Sequence, residues 1–186
     1  MATWDKIAGD VIAGVYDIKT VGFKRLSDSA TIPTKAHATD SGFDLYASED
    51  VIIEPGETAI VPTGIAVELP AGYEAQVRPR SGVTVNTKLR VQLGTIDNGY
   101  TGEIGVIVDN IYDETTERFS NFELIDGSVT PARRNVMDGA YLIRKGDRLA
   151  QLIIQYIPNT YAIELEELKT TYRGGKGFGS TGVRDK

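Results

Sequence analysis

Short runs of alternating apolar and polar residues occupy most of the chain after its first 19 residues. Between positions 73 and 78, Tyr73, Ala75 and Val77 alternate with polar side chains, which is the two-residue period of a half-buried strand. Turn-forming Pro and Gly residues separate such runs roughly every 8–12 residues, a spacing typical of a sandwich or barrel. The pattern predicts an all-β fold with little room for helix in the middle, and its further runs are at 51–53, 59–61, 65–69, 149–156 and 161–165.

The two ends of the chain differ from this β pattern. Residues 1–19 form an N-terminal extension in which Ile7 and Val11 fall on one helical face, so a short docking helix or a disordered segment is expected there. A length of 186 residues suits one domain with a sizeable core, and we assign that domain to residues 20–172. Residues 173–186 form a glycine-rich tail that is too flexible to hold a strand or helix by itself.

A long polar stretch interrupts the β pattern at about residues 112–139. Connections between strands have a median length of roughly 4–6 residues, so this stretch is an insertion. It forms either an added hairpin or a mobile surface loop. Phe119, Phe122 and Leu124 could line one face of an extra strand, which favours partial order.

The stretch GTIDNGYTGEIG, residues 94–105, places a single acid beside a tight turn. An Asn98-Gly99 step between apolar runs predicts a β-hairpin, because both residues accept positive φ angles. Asp97 would then lie at the lip of the hairpin, where a rigidly held carboxylate can orient a water for attack. Tyr100 follows with a flat apolar ring and a polar tip. Taken alone, Asp97 could equally be an acid that only forms the turn.

Composition excludes several kinds of chemistry. The chain has no cysteine, which removes thiolate nucleophiles, thiolate zinc sites and disulfides together. His37 is the only histidine and no motif supplies it with catalytic partners, so a surface turn is expected. The net charge of -6 argues against a nucleic-acid surface, and no membrane span or signal peptide is evident. We therefore expect a soluble cytoplasmic protein.

Three further polar motifs lie at predicted strand ends: TDSGFDLYA at 39–47, RPRSG at 78–82 and GDRLAQ at 146–151. The first carries Asp40 and Asp44, the second a cation and a hydroxyl, and the third a charge pair and an amide. Each alone is an ordinary turn. Together they offer acids, cations and hydrogen-bond donors around a β scaffold.

The tail repeats this chemistry in a flexible segment. RGGKGFGSTG, at residues 173–182, combines Arg173, the lone aromatic Phe178 and a Ser-Thr pair among five glycines. Glycine lets backbone N–H groups surround anionic oxygens, and arginine supplies a planar cationic fork. The spacing is not that of a P-loop, so a mobile lid over an anionic ligand is the better interpretation.

In this order and on a β scaffold, the five motifs resemble those of the homotrimeric dUTP pyrophosphatases (dUTPases), from about residue 21 to residue 182 with only the insertion intervening. The resemblance implies a jelly-roll-like β-barrel and a homotrimer that exchanges C-terminal arms and builds each active site from more than one subunit. It also implies Mg²⁺-dependent cleavage of dUTP to dUMP and pyrophosphate, which limits uracil incorporation into DNA and supplies dUMP for dTMP synthesis.

The resemblance also implies residue roles. Asp97 would orient the attacking water, Tyr100 would pack under the deoxyribose, and the backbone around Gly94 and Tyr100 would contact the uracil edge. Asp44 would hold the metal through its water ligands. The implied phosphate contacts are Arg80, Ser81, Gly82 and Gln151 in the barrel and Arg173, Gly179, Ser180 and Thr181 in the tail, with Phe178 covering the base.

The chain departs from the family pattern in places, and two other functions stay open. Val91 and Gln92 stand where many relatives carry an asparagine, so side-chain contacts from that strand are in doubt. A dCTP deaminase shares the fold and would need a glutamate near the central turn, where Glu103 lies. Insertions at residues 112–139 recur in bacteriophage-type relatives that also bind regulatory proteins, so a nucleotide-gated partner function is the non-enzymatic alternative.

Overall fold

Strands dominate the computed structural model, which describes residues 19–113 and 117–176. In that part of the chain one helix, α1 (Ser81–Asn86), stands among the strands. The strands are β1 (Gly22–Arg25), β2 (Gly42–Tyr46), β3 (Val51–Ile53), β4 (Thr58–Pro62), β5 (Ile65–Glu68), β6 (Tyr73–Pro79), β7 (Leu89–Val91), β8 (Gly94–Ile96), β9 (Gly105–Asn110), β10 (Arg118–Glu123), β11 (Val129–Met137), β12 (Tyr141–Ile143) and β13 (Arg148–Tyr156).

These strands form four sheets around one apolar core. The sheet orders are β1-β5, β11-β10-β12-β3, β2-β13-β6-β8 and β4-β9-β7. All pairings are antiparallel except that of β10 with β12. Leu45, Val77, Val108 and Ile143, one from each of four strands, are buried in the same cluster. The predicted alternation in β6 is confirmed, because Ala75 and Val77 are buried while the residues between and after them are more exposed.

The central turn exists, but the predicted hairpin is wrong. The Tyr100 N–H donates to the Asp97 carbonyl at 3.0 Å, which closes a turn over Asn98 and Gly99. Neither of these residues has a positive φ. The strands on either side do not pair: β8 joins β6, while β9 joins β4 and β7. Asp97 therefore lies where the chain leaves one sheet for another.

Three other sequence predictions need correction. Helix α1 lies in the middle of the chain, where almost no helix was expected. No strand forms at residues 161–165, which are exposed. The apolar run that precedes the Asn98-Gly99 step, residues 89–96, is divided between two strands in different sheets. Leu93, which lies between these strands, is 76% exposed. In each case the residue types were compatible with both the predicted and the observed structure, and tertiary contacts decided which one formed.

The insertion is an ordered hairpin of β10 and β11 that extends a barrel sheet through β12. Phe122 and Val136 form a small second core, and Leu124 is also buried. Phe119 was expected to share their face but is 43% exposed. It stands an odd number of positions from Phe122, so the strand directs it to the opposite side.

Several sequence features lie at the margins of this structure. Residues 1–18, where a docking helix was considered, lie outside the described residues. His37 is exposed in a turn closed by its own carbonyl and the Asp40 N–H at 3.0 Å, as predicted. Among the described residues, no helix is long and apolar enough to cross a membrane.

The Asn110 side chain joins the insertion to the barrel, so replacing it should destabilise both the insertion and the barrel. Its buried amide donates to the Ile53 carbonyl at 3.1 Å and the Gly139 carbonyl at 2.8 Å, and it accepts from the Tyr112 N–H at 3.0 Å. Asn110→Ala leaves these groups without partners, so we expect a loss of about 3 kcal/mol in the free energy of unfolding, measured by urea denaturation at fixed protein concentration. Asn121→Ala on the outer hairpin is the control. A loss below about 1 kcal/mol for Asn110→Ala would contradict this role.

Candidate functional site: two separate clefts

Predicted site residues line two clefts, and the larger of these clefts collects three of the sequence motifs. It has a volume of about 580 Å³ and opens beside the start of α1. The TDSGFD, RPRSG and GDRLAQ motifs meet there because β13 pairs with both β2 and β6. The residues lining the cleft are Ala36, Thr39, Asp40, Ser41, Gly42, Asp44, Arg80, Ser81, Gly82, Val83, Asn86, Ile125, Asp126 and Gln151.

A buried carboxylate orients the cation of this cleft. Asp44 is 9% exposed; its Oδ1 lies 3.1 Å from Arg80 Nε, and its Oδ2 lies 3.4 Å from Arg148 Nη1. The Arg80 Nη1 also donates to the Arg148 carbonyl at 2.9 Å. Arg80 is therefore fixed on one edge while its side chain remains 30% exposed toward the cleft. A fixed, partly exposed guanidinium is suited to binding a phosphate or carboxylate.

Two glycines open this cleft for different reasons. A Cβ on Gly42 would lie 2.6 Å from Ile153 Cδ1 and 3.1 Å from Gln151 Cβ, so a larger residue there would require the Ile153 and Gln151 side chains of β13 to shift. A Cβ on Gly82 would meet nothing within 4 Å. Packing within this chain does not require that second glycine, which leaves space for a ligand or another subunit.

The smaller cleft holds the acid and the aromatic ring of the central turn. It has a volume of about 230 Å³ between β8 and the start of β9. Its residues mix apolar walls with a few polar groups, as in sites for small ring systems. They are Val77, Gly94, Thr95, Ile96, Asp97, Tyr100, Glu103, Ile104, Gly105 and Ile107.

Hydrogen bonds hold the turn rigidly at the rim of this smaller cleft. The Asn98 side-chain amide donates to the carbonyls of Pro70 at 2.8 Å and Tyr73 at 3.0 Å, which ties the turn to the loop before β6. The Tyr100 hydroxyl donates to the Glu103 carbonyl at 2.9 Å. Asp97 is exposed beside them. The asparagine thus stabilises the turn through its side chain rather than through a positive φ.

Glu103 has a structural partner. Its Oε1 accepts from the Gly64 N–H at 2.7 Å, which joins the segment before β9 to the loop between β4 and β5. The carboxylate also borders the smaller cleft. Its hydrogen bond to the backbone reduces its freedom to act as the glutamate of a deaminase.

The two clefts lie near opposite ends of β6. Ile96 pairs with Ala75 in an antiparallel register, so Asp97 lies about level with Glu74. Arg80, in contrast, follows the last residue of β6. Six strand positions span about 20 Å. Asp97 and Arg80 of one chain therefore cannot both contact the same phosphate group.

The tail residues are only partly described. Arg173 is exposed, and its carbonyl accepts from the Lys176 N–H at 3.4 Å. Phe178, Gly179, Ser180 and Thr181, the other predicted tail contacts, lie outside the described residues. The structure brings Asp44, Arg80, Ser81, Gly82 and Gln151 together in the larger cleft, and Gly94, Asp97 and Tyr100 in the smaller one.

Sequence reasoning missed two contributors to the larger cleft. Arg148 supports Asp44 and Arg80; its place in GDRLAQ, three residues before Gln151, was an available signal. Asp126 comes from the insertion, and nothing in the local sequence indicates that this turn folds back onto the barrel.

Comparisons with known proteins agree with the motif pattern. The dUTPase family model matches residues 28–118. The deoxyuridine 5'-triphosphate nucleotidohydrolase of Gloeothece citriformis is 38% identical over 161 residues, covering 86% of this chain and 94% of that protein. The solved Staphylococcus bacteriophage 80alpha dUTPase with dUPNHPP is 36% identical, covers 89% of this chain and 100% of its own, and has a TM-score of 0.85.

A second phage enzyme is also similar to this chain. The dUTPase of phage phi11 of S. aureus, solved to visualise its species-specific insert, is 33% identical with a TM-score of 0.79, covering 82% of this chain and 100% of its own. A variant of that enzyme is described as coordinating a structural Mg(II) ion. These similarities confirm the predicted all-β, jelly-roll-like barrel.

The Asp44 cluster yields a stability prediction. Asp44→Asn removes the negative charge between two guanidinium groups that lie on either side of it. We expect the free energy of unfolding to fall by about 2 kcal/mol, the scale of lost hydrogen bonds to charged groups. Asp40→Asn in the same cleft is the control, since its amide oxygen can still accept from the His37 N–H. Equal stability of the two variants in chemical denaturation would contradict the clamping role.

Proposed function

The chain belongs to the dUTPase family, and we propose that it hydrolyses dUTP to dUMP and pyrophosphate. The observation that carries the proposal is the division of chemistry between the clefts. An apolar-walled pocket with an acid at its rim suits a nucleoside, and a cleft with a fixed guanidinium suits its phosphates. The reaction would remove dUTP from the nucleotide pool, limit uracil incorporation into DNA and supply dUMP for dTMP synthesis.

We propose a homotrimer in which the smaller cleft of one subunit faces the larger cleft of another. The separation of about 20 Å between Asp97 and Arg80 along β6 supports this arrangement. An apolar C-terminal arm supports it as well. Tyr161, Leu168 and Tyr172 are 90%, 85% and 104% exposed, and such a series of large apolar side chains is expected to be covered by another chain. Exchange of this arm between subunits would cover it.

Positioning would dominate the proposed chemistry. Asp97 would accept a proton from a water whose oxygen bonds to the α-phosphorus, and the bond from that phosphorus to the bridging oxygen would break to release pyrophosphate. The hydrogen bonds of Asn98 fix the backbone of the turn that carries Asp97. Neither cysteine nor histidine is needed for this route.

Tyr100 would select the sugar. Its hydroxyl is engaged with the Glu103 carbonyl, and its ring lies against Gly102, where a Cβ would come within 2.5 Å of the hydroxyl oxygen. The tyrosine therefore presents a flat face rather than a hydrogen-bond donor. That face can pack under a deoxyribose and disfavours a 2′-hydroxyl, while the backbone near Gly94 would contact the uracil edge.

The larger cleft fits a Mg²⁺ ion that retains water ligands. Both Asp44 oxygens already face guanidinium groups, and the described residues contain no group of three or more His, Asp or Glu side chains placed to bind a metal. Mg²⁺ at nucleotide sites commonly keeps several waters and binds substrate phosphates. Asp44 would therefore hold the ion through water, and the ion would neutralise charge on the phosphate oxygens.

Other groups would complete the phosphate contacts. Arg80 would bind the phosphates directly, and Arg173 with the tail residues Phe178, Gly179, Ser180 and Thr181 would close over the nucleotide from a further subunit. The remaining barrel contacts would be Ser81, Gly82 and Gln151. The open space around Gly82 supports close approach of a ligand.

A second function is a contact between the insertion, residues 112–139, and a regulatory protein. The similarity to phage dUTPases supports it, since structures of the 80alpha enzyme are described in terms of control of virulence-gene transfer. The exposed side chains of Phe119 and Val129 supply apolar contact area on the hairpin. Deleting the insertion would not test this cleanly, because Phe122 and Leu124 are buried.

Deamination of dCTP remains a rival enzymatic activity of the same fold. The dUTPase similarity and the structural hydrogen bond of Glu103 favour hydrolysis. Separate incubations with dCTP and dUTP distinguish the two, because deamination releases ammonia and the proposed reaction releases pyrophosphate.

Asp97→Asn should fold normally and lose catalysis. The amide keeps the size of the side chain but cannot accept the proton, so we expect kcat to fall at least ~100-fold while a non-hydrolysable dUTP analogue still binds. Pyrophosphate release with Mg²⁺ is the measurement, and Asp28→Asn at an exposed site is the matched control. Near-normal turnover in Asp97→Asn would exclude its proposed role.

A further inference from the structure

The insertion supplies part of the wall of the larger cleft. Its turn, residues 124–128, is closed by the Leu124 N–H on the Ser128 carbonyl at 2.8 Å and the Gly127 N–H on the Leu124 carbonyl at 3.0 Å. Ile125 packs against the barrel core, and both Ile125 and Asp126 border the cleft. The insertion is thus not a separate module projecting from the barrel.

Contacts on both sides fix this turn relative to α1. The Glu123 N–H donates to the Ala140 carbonyl at 3.0 Å, and burial together with the nearby Glu123 carboxylate raises the pKa of the Tyr141 hydroxyl. That hydroxyl accepts from the Lys88 N–H, just beyond α1, at 3.1 Å. Gly127 lies beside the end of α1, since a Cβ placed on it would be in van der Waals contact with the Asn86 carbonyl oxygen at 3.6 Å. The position of Asp126 at the cleft is therefore set by the fold.

The Asp126 carboxylate is held in its ionised form. Its Oδ1 accepts from the Ser128 hydroxyl at 2.6 Å and from the Ser128 N–H at 2.9 Å. These bonds, the hydroxyl first, lower the pKa of Asp126 below its ordinary value. At neutral pH the insertion therefore places one fixed negative charge at the cleft.

This charge matters because cations do not dominate the described lining of the cleft. Asp40, Asp44 and Asp126 line the cleft together with one guanidinium, that of Arg80, which is already paired with Asp44. Two further guanidinium groups lie outside this lining: Arg148 also pairs with Asp44, and Arg144 interacts with Asp126. A bare triphosphate is repelled by an added carboxylate. A triphosphate carrying a divalent cation is not repelled in this way, because the cation cancels much of its charge and is itself attracted.

We propose that Asp126 is a specificity-determining residue through which the insertion makes this enzyme discriminate between metal-bound and metal-free dUTP. The inference rests on the proposed function, because it takes the larger cleft as the phosphate site. It assigns the insertion a role in substrate selection that does not depend on any protein partner.

The test is binding of a non-hydrolysable imido analogue of dUTP to the full-length protein, by titration calorimetry with Mg²⁺ and again with EDTA at the same ionic strength. The quantity compared is the ratio of the metal-free Kd to the Kd with Mg²⁺. Asp126→Asn keeps an oxygen for the Ser128 bonds but loses the charge, so its ratio should fall about threefold, the scale of one exposed charge interaction. Asp126→Glu should retain the wild-type ratio.

Asp113→Asn is the matched control, since it makes the same change in the insertion at an exposed residue outside the cleft lining, and its ratio should not change. An unchanged Kd ratio in Asp126→Asn, or an equal fall of the ratio in Asp126→Asn and Asp126→Glu, would overturn the inference. Binding of the analogue by the wild-type protein would still uphold the proposed function in that case. Failure of the wild-type protein to bind the analogue with Mg²⁺ would instead overturn the proposed function.

Discussion

The pairing of β6 with β8 on one side and β13 on the other sets the geometry of the candidate site. Asp97 follows β8, and Gln151 lies on β13. Asp44 lies on β2, which pairs with the other side of β13, and Arg80 follows the end of β6. A strand is nearly inextensible, so the separation of about 20 Å cannot be closed by side-chain motion. The acid and the guanidinium of one chain cannot both contact the same phosphate group, which supports the proposal that each site is assembled from more than one subunit.

Electrostatics within the larger cleft follow from the overall charge. A protein of net charge -6 must concentrate cations locally to bind a polyanion. The cluster of Arg80, Asp44 and Arg148 does so with a buried carboxylate that keeps two partly exposed guanidinium groups close together. Ion pairs with partly exposed partners contribute little net stability. The value of the cluster is the fixed direction of the Arg80 guanidinium.

The insertion adds a second constraint to the same cleft. Its hairpin has a small core of its own, built on Phe122 and Val136, yet Ile125 packs against the barrel core. Asn110 ties its base to β3 and to Gly139. A protein bound to the hairpin would therefore act on a segment that lines the larger cleft, which gives a short physical route between partner binding and the proposed phosphate site.

Much of this could be predicted from the sequence, and the failures have physical causes. The short apolar and alternating runs located β3, β4, β5, β6 and β13, and the ordered motifs identified the family. The Asn98-Gly99 step has the residue types of a hairpin turn, but sheet pairing carried its flanking strands apart. Helix α1 is too short to show a helical period. Asp126 acquires its place at the cleft only through long-range contacts, which no local pattern encodes, whereas the position of Arg148 in GDRLAQ was a signal that could have been used.

A subunit-mixing experiment tests most directly whether one site draws on two chains. Asp97→Asn and Arg80→Ala subunits, each inactive alone, are unfolded together in equal amounts, refolded, and assayed for pyrophosphate release from dUTP. If the acid and the guanidinium come from different subunits of a trimer, random mixing restores about a quarter of the sites, and activity returns to about that fraction of the wild-type value. Mixed assemblies that form but remain as inactive as the separate variants would contradict the shared site.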